Sequence, residues 1–257
     1  MQLYERDLAT VNARLEGKTP IEILEWAHDA FGMRAAILSS MQRAGSVLCH
    51  MADRAGLAFE VVFVDTGVLH PETLATRAAL SRTHRLLNVV TLTPEHSFAE
   101  QTRIEGLLYL SKEGQERCCD LRKSAPLRAI RGRYAAFVSA LRRGEGGARA
   151  NVPIVALDVE LGALRVHPFA DVSARELQTY LEAHGDVALN PLHAMGFPTI
   201  GCYTCTTPVR PDEPERAGRW RHLAGVEYCG INPTDRGARD ASIELADDYK
   251  GVLGLLG

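Results

Sequence analysis

The order of apolar segments in the first two thirds of the chain constrains its fold more than any other feature. Residues 59–64, Phe-Glu-Val-Val-Phe-Val, are rich in β-branched and aromatic side chains, which predicts a buried β-strand. Residues 71–83 begin with Pro-Glu-Thr and predict a helix, and residues 87–92 predict the next strand. Because strands and helices alternate, the sequence predicts parallel βαβ units and a doubly wound, mostly parallel α/β sheet.

The flanking segments extend this pattern. Residues 5–30 carry apolar side chains at helical spacing, and Thr19-Pro20 marks a helix start within them. Ser173 and Glu176 predict a capping box at the start of a helix that reaches about residue 184. Further strands are predicted at 34–38 and 134–140, with an antiparallel edge pair at 152–159 and 164–167. Further helices are predicted at 47–55, 94–114 and 118–127. Pro126 either starts a new helix or kinks the last of these.

Ligands of such sheets bind outside the carboxyl ends of the strands, so the loops that follow the strands are candidate binding sites. Residues 39–46 form a Ser- and Gly-rich loop between strand and helix, which would present backbone N–H groups to a phosphate; an ordinary turn is an equal alternative. Residues 141–149, Leu-Arg-Arg-Gly-Glu-Gly-Gly-Ala-Arg, form a basic, glycine-rich loop that favours an anion. The candidate substrate-binding residues are Ser39, Ser40, Asp65, Thr66 and Gly67 on this edge, and Arg142 and Arg143 in the basic loop.

Five of the six cysteines fall into one pattern along the chain. The pattern is an adjacent pair, then a Cys-x-x-Cys, then a single cysteine, at positions 118, 119, 202, 205 and 229. Four thiolates suit a tetrahedral Zn²⁺ or a [4Fe–4S] cluster, and the fifth thiol is left as a candidate nucleophile. Cys49 lies in an apolar helical stretch and is interpreted as a core residue.

The adjacent pair favours a cluster over zinc. Neighbouring side chains on a helix point about 100° apart, so Cys118 and Cys119 could both bind only a wide body, each on a different iron. Zinc stays an alternative, as does a structural role in which both are small buried residues. Lys123, one helical turn after Cys119, could offset the charge of such a cluster or face an anionic substrate; a solvated surface lysine is the other interpretation.

Cys229 follows a run of basic residues. Arg216, Arg219 and Arg221 precede it, and nearby positive charge stabilises a thiolate and makes it a better nucleophile. The same guanidinium groups could hold a phosphate or sulfate. Residues 206–240 are rich in proline and charge, so we expect an α/β nucleotide- and cluster-binding domain over 1–205 and a mobile C-terminal segment over 206–257 that carries Cys229.

Composition restricts the partners. A net charge of −3 gives no sign of attraction to nucleic acid or to a membrane surface. The first residues lack the apolar core of a secretory signal, and no apolar run approaches the roughly 20 residues of a membrane span. We therefore expect a cytoplasmic protein with no nucleic-acid or membrane partner, in which clustered cysteines indicate metal binding or catalysis.

Taken together, these motifs resemble the adenylyl-sulfate (APS) and phosphoadenylyl-sulfate (PAPS) reductases of assimilatory sulfate reduction, over about residues 35–232. The most specific motifs are Cys118-Cys119-x-x-Arg122-Lys123-x-x-Pro126-Leu127, Gly201-Cys202-x-x-Cys205-Thr206 and Glu215-Arg216-Ala217-Gly218-Arg219-Trp220, and Cys229-Gly230-Ile231 completes the set. The resemblance implies a sheet of the adenine-nucleotide hydrolase-like (PP-loop) type. It also implies that Cys118, Cys119, Cys202 and Cys205 hold one [4Fe–4S] cluster per subunit and that Cys229 is the nucleophile.

The reaction implied by this resemblance belongs to cysteine biosynthesis. The Cys229 thiolate attacks the sulfate sulfur of APS, AMP leaves, and thioredoxin or glutaredoxin releases sulfite from the S-sulfonated enzyme. The four-cysteine set is typical of the APS branch; a PAPS reductase or a dual-specificity enzyme is the alternative, and a homo-oligomer is left open. The chain departs from the family at Asn232, where a histidine is usual, and in residues 233–257, to which no function is assigned.

Two other classes compete with this hypothesis. A zinc-bound nucleotide-binding or regulatory protein would share the cysteines without redox turnover. A PP-loop ATP pyrophosphatase would need a Ser-Gly-Gly-x-Asp-Ser loop, which residues 39–46 do not supply.

Overall fold

The structure is a computed structural model that describes residues 1–223, 225–226 and 242–255. Its strands are β1 (Gln2–Tyr4), β2 (Ala35–Leu38), β3 (Phe59–Val64), β4 (Leu87–Leu92), β5 (Ala136–Val138), β6 (Val155–Asp158), β7 (Ala163–Val166) and β8 (Ser242–Glu244). Six of them form the central sheet in the order β4-β3-β2-β5-β7-β6, which is parallel except for the edge strand β6, antiparallel to β7. The predicted doubly wound sheet and its antiparallel edge pair are confirmed.

Helices cover both faces of this sheet. They are α1 (Ala9–Leu15), α2 (Pro20–Phe31), α3 (Arg43–Arg54), α4 (Pro71–Thr83), α5 (Phe98–Glu105), α6 (Lys112–Cys119), α7 (Ala125–Arg128), α8 (Ala174–Ala183) and α9 (Lys250–Leu253). Three of them begin with a capping box, in which a Ser or Thr hydroxyl accepts from the backbone three residues on and a Glu carboxylate bonds back. These boxes start α2, α5 and α8, so the predicted caps at Thr19 and Ser173 are confirmed.

The core lies on both faces of the sheet because successive strand residues alternate between them. On β2, Ile37 belongs to the larger apolar cluster and Ala36 to a smaller one on the opposite face. On β3, Val61 and Val62 divide in the same way. A strand buried on both faces explains the unbroken apolar runs in the sequence.

Strand order places the candidate loops on one edge. From β2 the chain adds β3 and then β4 on one side, and β5 and β7 on the other, so the order reverses between β2 and β5. Such a reversal opens a crevice at the carboxyl ends of the strands. Residues 39–42, 65–70 and 139–142 follow β2, β3 and β5 and therefore lie along that edge, as predicted for the first two loops.

The loop after β2 is shorter than predicted. Helix α3 begins at Arg43, four residues before the predicted start at Val47, so Gly45 and Ser46 lie in its first turn. A Cβ at Gly45 would lie 2.7 Å from the Ser39 hydroxyl, and this close approach lets the helix begin directly against the end of β2.

The C-terminal residues 242–255 pack against the start of the chain. Strand β8 pairs with β1, and the amino group of Met1 donates to the carbonyl oxygen of Leu245 at 2.7 Å. Ile243, Leu245 and Leu253 belong to the main apolar core. The mobility expected for residues 206–257 stays a prediction, and Cys229 lies outside the described residues. Within the described part of the chain, no helix is both long and apolar enough to cross a membrane.

Candidate metal centre and substrate site

Four cysteines from two distant segments line one cavity. Cys118 and Cys119 lie at the end of α6. Cys202 and Cys205 lie in the irregular segment that follows α8. Three of the four are buried, and Cys118 is partly exposed. The other residues that line the cavity are Tyr109, Gln115, Arg122, Lys123, Thr204 and Trp220.

A π-helical turn follows the adjacent cysteines. Residues Asp120–Ser124 form this turn between α6 and α7, so the predicted helix over 118–127 is continuous in path but widened in the middle. Pro126 lies in the first turn of α7. Because proline has no N–H and its ring crowds the preceding turn, a wider turn before it avoids a clash. The π-turn carries both Arg122 and Lys123 toward the cavity.

The loop after β3 holds the Cys-x-x-Cys segment. Leu69 and Cys202 form an isolated β-bridge, and the N–H of Tyr203 donates to the carbonyl oxygen of Val68 at 2.9 Å. The Thr66 hydroxyl lies 3.3 Å from the Cys202 sulfur. Gly67 has φ of +71°, and a Cβ there would lie 3.0 Å from Nη2 of Arg122. The predicted turn 65–67 therefore borders the cysteine site.

The Glu-Arg-Ala-Gly-Arg-Trp run packs on the same segment. The N–H of Trp220 donates to the carbonyl oxygen of Cys205 at 3.0 Å, and its buried side chain lines the cavity. Trp220 has a φ of +47°, a left-handed conformation that is rare for a bulky residue. Residues held in such conformations are found most often at functional sites. The Arg219 guanidinium lies over the Trp220 ring and against Gly201, where a Cβ would be 2.5 Å from its Nη2. Glycine at 201 makes that approach possible.

Each of the four sulfurs has a side-chain hydrogen-bond partner. Cys118 accepts from Nε2 of Gln101 at 3.5 Å and Cys119 from Nε2 of Gln115 at 3.1 Å. The hydroxyls of Thr66 and Thr204 lie 3.3 and 3.5 Å from the sulfurs of Cys202 and Cys205. Sequence reasoning missed Gln101, Gln115 and Thr204, because only the tertiary structure brings those amides and that hydroxyl to the cysteines.

The chemistry of the donor set, four thiols around one cavity, fits a four-iron cluster. In the part of the chain that the structure describes, no group of three or more His, Cys, Asp or Glu side chains is arranged to hold one metal ion. The four sulfurs nevertheless surround one cavity, as they would if each bound a different corner of a wider body. Burial raises the pKa of the Cys118 and Cys205 thiols, and the positive charge of Lys123 offsets part of this rise in each. Buried thiols of this kind become thiolates when a metal replaces their protons.

The serine loop is bonded to the segment that leads to Cys202. The N–H of Ile200 donates to Oε1 of Gln42 at 2.8 Å, and the N–H of Arg43 donates to Nε2 of His193 at 3.0 Å. Nδ1 of His193 lies 2.8 Å from the carbonyl oxygen of Phe197 and donates to it, which leaves Nε2 as the acceptor. A ring nitrogen that accepts an N–H belongs to a neutral imidazole, and burial lowers the pKa of His193 in the same sense.

Comparison with known proteins now decides the family. The family model described as "Phosphoadenosine phosphosulfate reductase domain" matches residues 34–208. The chain belongs to this family. The "Adenosine 5'-phosphosulfate reductase" of Streptomyces coelicolor is 41% identical over 218 residues, 85% of this chain and 90% of that protein. The protein of the same name from Mycolicibacterium smegmatis is 37% identical over 221 residues, 86% of this chain and 91% of its own length.

A solved structure shares the fold of this chain. The phosphoadenylyl-sulfate (PAPS) reductase from Candida auris, a phosphate complex, superposes with a TM-score of 0.67 at 19% identity. The alignment covers 80% of this chain and 98% of that one. At this identity the likeness shows the fold alone.

The predicted substrate residues fall into three groups: the two serines after β2, the residues at the border of the cysteine site, and the arginines of the glycine-rich loop. Ser39 is buried at the end of β2, where its hydroxyl accepts from the N–H of Met41 at 3.2 Å, and Ser40 is exposed beside it. The border of the cysteine site is formed by Asp65, Thr66, Gly67 and Lys123. It also includes Arg216 and Arg219, whose guanidinium carbons lie 6.0 and 4.2 Å from the centre of the Trp220 ring.

The arginines of the glycine-rich loop bond to the protein itself. Arg143 pairs with Glu16 at 2.7 Å and Asp171 at 2.5 Å, and Arg142 donates to the carbonyl oxygen of Val172 at 3.5 Å. Arg221, from the basic run outside this loop, likewise pairs within the protein, with both carboxylate oxygens of Glu213 at 2.7 Å. The structure does not bring these three guanidinium groups to the cysteine cavity, and the substrate role of Arg142 and Arg143 stays a prediction.

Proposed function

We propose that this chain reduces adenylyl sulfate to sulfite and AMP, with Cys229 as the nucleophile and thioredoxin or glutaredoxin as the reductant. As a member of the reductase family, the chain is an oxidoreductase that acts on a sulfur group. The observation that carries the proposal is the single cavity lined by Cys118, Cys119, Cys202 and Cys205, in a chain whose relatives at 41 and 37% identity are named adenosine 5'-phosphosulfate reductases.

The substrate follows from those relatives. The family model and the Candida auris structure carry the name of PAPS, but the latter is only 19% identical, whereas the relatives named for APS cover most of the chain. The second candidate is therefore a PAPS reductase or a dual-specificity enzyme. The proposed place of the reaction is sulfate assimilation in the cytoplasm, as a step toward cysteine.

The proposed cofactor is a [4Fe–4S] cluster, one per subunit, held by the four cysteines of the cavity. When bound, it would supply an inorganic centre that joins the two cysteine segments. The cationic groups of Lys123 and Arg122 line the same cavity, where they attract anionic ligands and offset thiolate charge. Arg219 lies against Gly201 at its border and adds to this positive field.

The proposed reaction is balanced by two thiol exchanges. The Cys229 sulfur forms a bond with the sulfate sulfur, and the bond between that sulfur and the phosphate oxygen breaks, so AMP leaves with the electron pair. A thiolate of the reductant then attacks the Cys229 sulfur, and sulfite leaves with the electrons of the S–S bond. The second thiol of the reductant resolves the mixed disulfide, so the dithiol supplies both electrons and Cys229 is regenerated.

The experiment compares sulfite release from APS and from PAPS with reduced thioredoxin, for the parent and for Cys229→Ser. We expect a higher kcat/KM for APS, and no sulfite release from Cys229→Ser at unchanged iron content. Cys49→Ala is the control, because complete burial raises the pKa of that thiol to about 12 and makes it inert. A higher kcat/KM for PAPS would favour the second candidate, and turnover by Cys229→Ser would refute the nucleophile.

A further inference from the structure

Gln101 is an unexpected residue on the buried side of α5. Its side chain is 4% exposed, and it is the buried residue of this eight-residue helix. A buried amide is costly unless its oxygen and its nitrogen are both hydrogen-bonded. Both ends of Gln101 have partners, and each partner belongs to the π-turn or to the cysteine pair that precedes it.

The two partners fix the orientation of the amide. Oε1 of Gln101 accepts from Nη1 of Arg122 at 2.9 Å, and Nε2 donates to the sulfur of Cys118 at 3.5 Å. An arginine has only donors, so it can face the amide oxygen and not the amide nitrogen. The N–H of Gln101 must therefore point at the sulfur, and a flipped amide would place two donors together.

Arg122 is held as firmly as the amide. It is 2% exposed, its Nε donates to the carbonyl oxygen of Thr66 at 2.5 Å, and its Nη2 donates to that of His96 at 3.3 Å. Its guanidinium also lies over the Phe98 ring, 5.5 Å from the centroid. Three segments therefore fix the side chain that orients Gln101.

Gln115 provides a contrast within the same site. Its Nε2 donates to the sulfur of Cys119 at 3.1 Å, but among the described residues its Oε1 has no hydrogen-bond partner. Among the residues that the structure describes, an arginine thus orients the amide that donates to Cys118, whereas Gln115 has no such partner at its oxygen.

We propose that Gln101 and Arg122 are positioning residues that fix an N–H···S bond to Cys118 and so set the electronic properties of that ligand in the bound cluster. The inference rests on the proposed cluster. An N–H···S bond withdraws electron density from a thiolate and stabilises the more negatively charged, reduced state of an iron–sulfur centre. Removing the bond makes reduction harder and moves the sulfur-to-iron charge-transfer absorption to longer wavelength.

The test uses full-length, anaerobically purified holoprotein. Gln101→Leu removes the donor, and Gln101→Met is a closer match in shape if the leucine variant loses iron. Arg122→Lys keeps the positive charge but not the fork that holds the amide oxygen. Gln178→Leu is the control, because that glutamine bonds to Glu182 on the exposed face of α8. Iron and sulfide content, the visible spectrum and the midpoint potential are measured for each.

We expect Gln101→Leu and Arg122→Lys to keep iron and sulfide while both the absorption and the potential shift in the stated directions. The double variant should shift by clearly less than the sum of the two single variants, since part of the Arg122 effect passes through the amide and Arg122→Lys keeps the direct charge. An unchanged spectrum and potential at full iron content, additive shifts in the double variant, or loss of iron from both Gln101 variants would overturn the inference. A parent protein without iron or sulfide would instead overturn the proposed cluster, and the inference with it.

Discussion

Gly218 offers the sharpest test of how residues 206–220 support the cysteine site. An alanine Cβ at this position would overlap the carbonyl oxygen of Thr207, a backbone atom that cannot rotate away. The two segments must therefore separate, which breaks the bonds that the Gly218 carbonyl accepts from the N–H and the hydroxyl of Thr207, at 2.8 and 3.3 Å. At about 1 kcal/mol each, these bonds set a lower limit of about 2 kcal/mol on the loss of stability.

The upper limit depends on Trp220, two residues further on. Its side chain is 1% exposed, and releasing roughly 200 Å² of apolar surface to water would cost about 5 kcal/mol more. The lower limit alone corresponds to a fall of roughly 4–8 °C in Tm for a chain of this size. Because Trp220 donates to the carbonyl oxygen of Cys205, we also expect lower iron retention.

The assay is thermal unfolding of Gly218→Ala and of Gly185→Ala, followed by circular dichroism, with iron content measured on the same samples. Gly185 is the matched control, because a Cβ there meets no heavy atom within 4 Å and its backbone is not left-handed. Equal Tm values for the two variants would refute the packing of residues 206–220 on the cysteine site.

Three further predictions follow from single residues. Burial lowers the pKa of His167 to about 4, so below pH 6.5 the unfolded chain binds a proton that the folded chain does not. We therefore expect the free energy of unfolding to fall by about 2 kcal/mol from pH 7 to pH 5. Urea titrations of His167→Gln at both pH values should show a smaller fall. Cys202→Ser should lose the iron that Cys49→Ala retains, and equal iron contents would count against the ligand role. Gly67 and Gly17 both have a positive φ, of +71° and +77°, but of the two only Gly67 would place a Cβ 3.0 Å from Nη2 of Arg122. Replacing either glycine with alanine should lower the free energy of unfolding in urea by about 1–2 kcal/mol. Of the two variants, only Gly67→Ala should also lower iron retention.

The sequence determined the sheet closely because its signals are local. The β-branched run over residues 59–64 and the proline-started helix over 71–83 agree with Phe59–Val64 and Pro71–Thr83. The cysteine pattern likewise located four residues that the structure brings to one cavity. In each case the spacing along the chain contains the necessary information.

The remaining features depend on contacts between distant segments. The side chains that bond to the sulfurs of Cys118 and Cys119 are glutamines, which are common on helix surfaces, and nothing in the sequence distinguishes Gln101 or Gln115. The basic loop predicted an anion site, but Arg143 pairs with Glu16, 127 positions away along the chain. The π-turn had a visible signal in Pro126, although the choice between a kink and a new helix required the structure.

The charge balance around Arg122 supports the proposed cluster. Arg122 is nearly fully buried, and the groups that accept its hydrogen bonds are neutral oxygens of Thr66, Gln101 and His96. Burial lowers its pKa, whereas negative charge on Cys118, Cys202 and Asp65 raises it. A buried guanidinium with neutral partners costs several kcal/mol, and that cost falls when a negative charge stands beside it. Since burial disfavours the thiolate of Cys118 on its own, a bound metal centre is what would supply both ionised sulfurs and so offset the buried arginine.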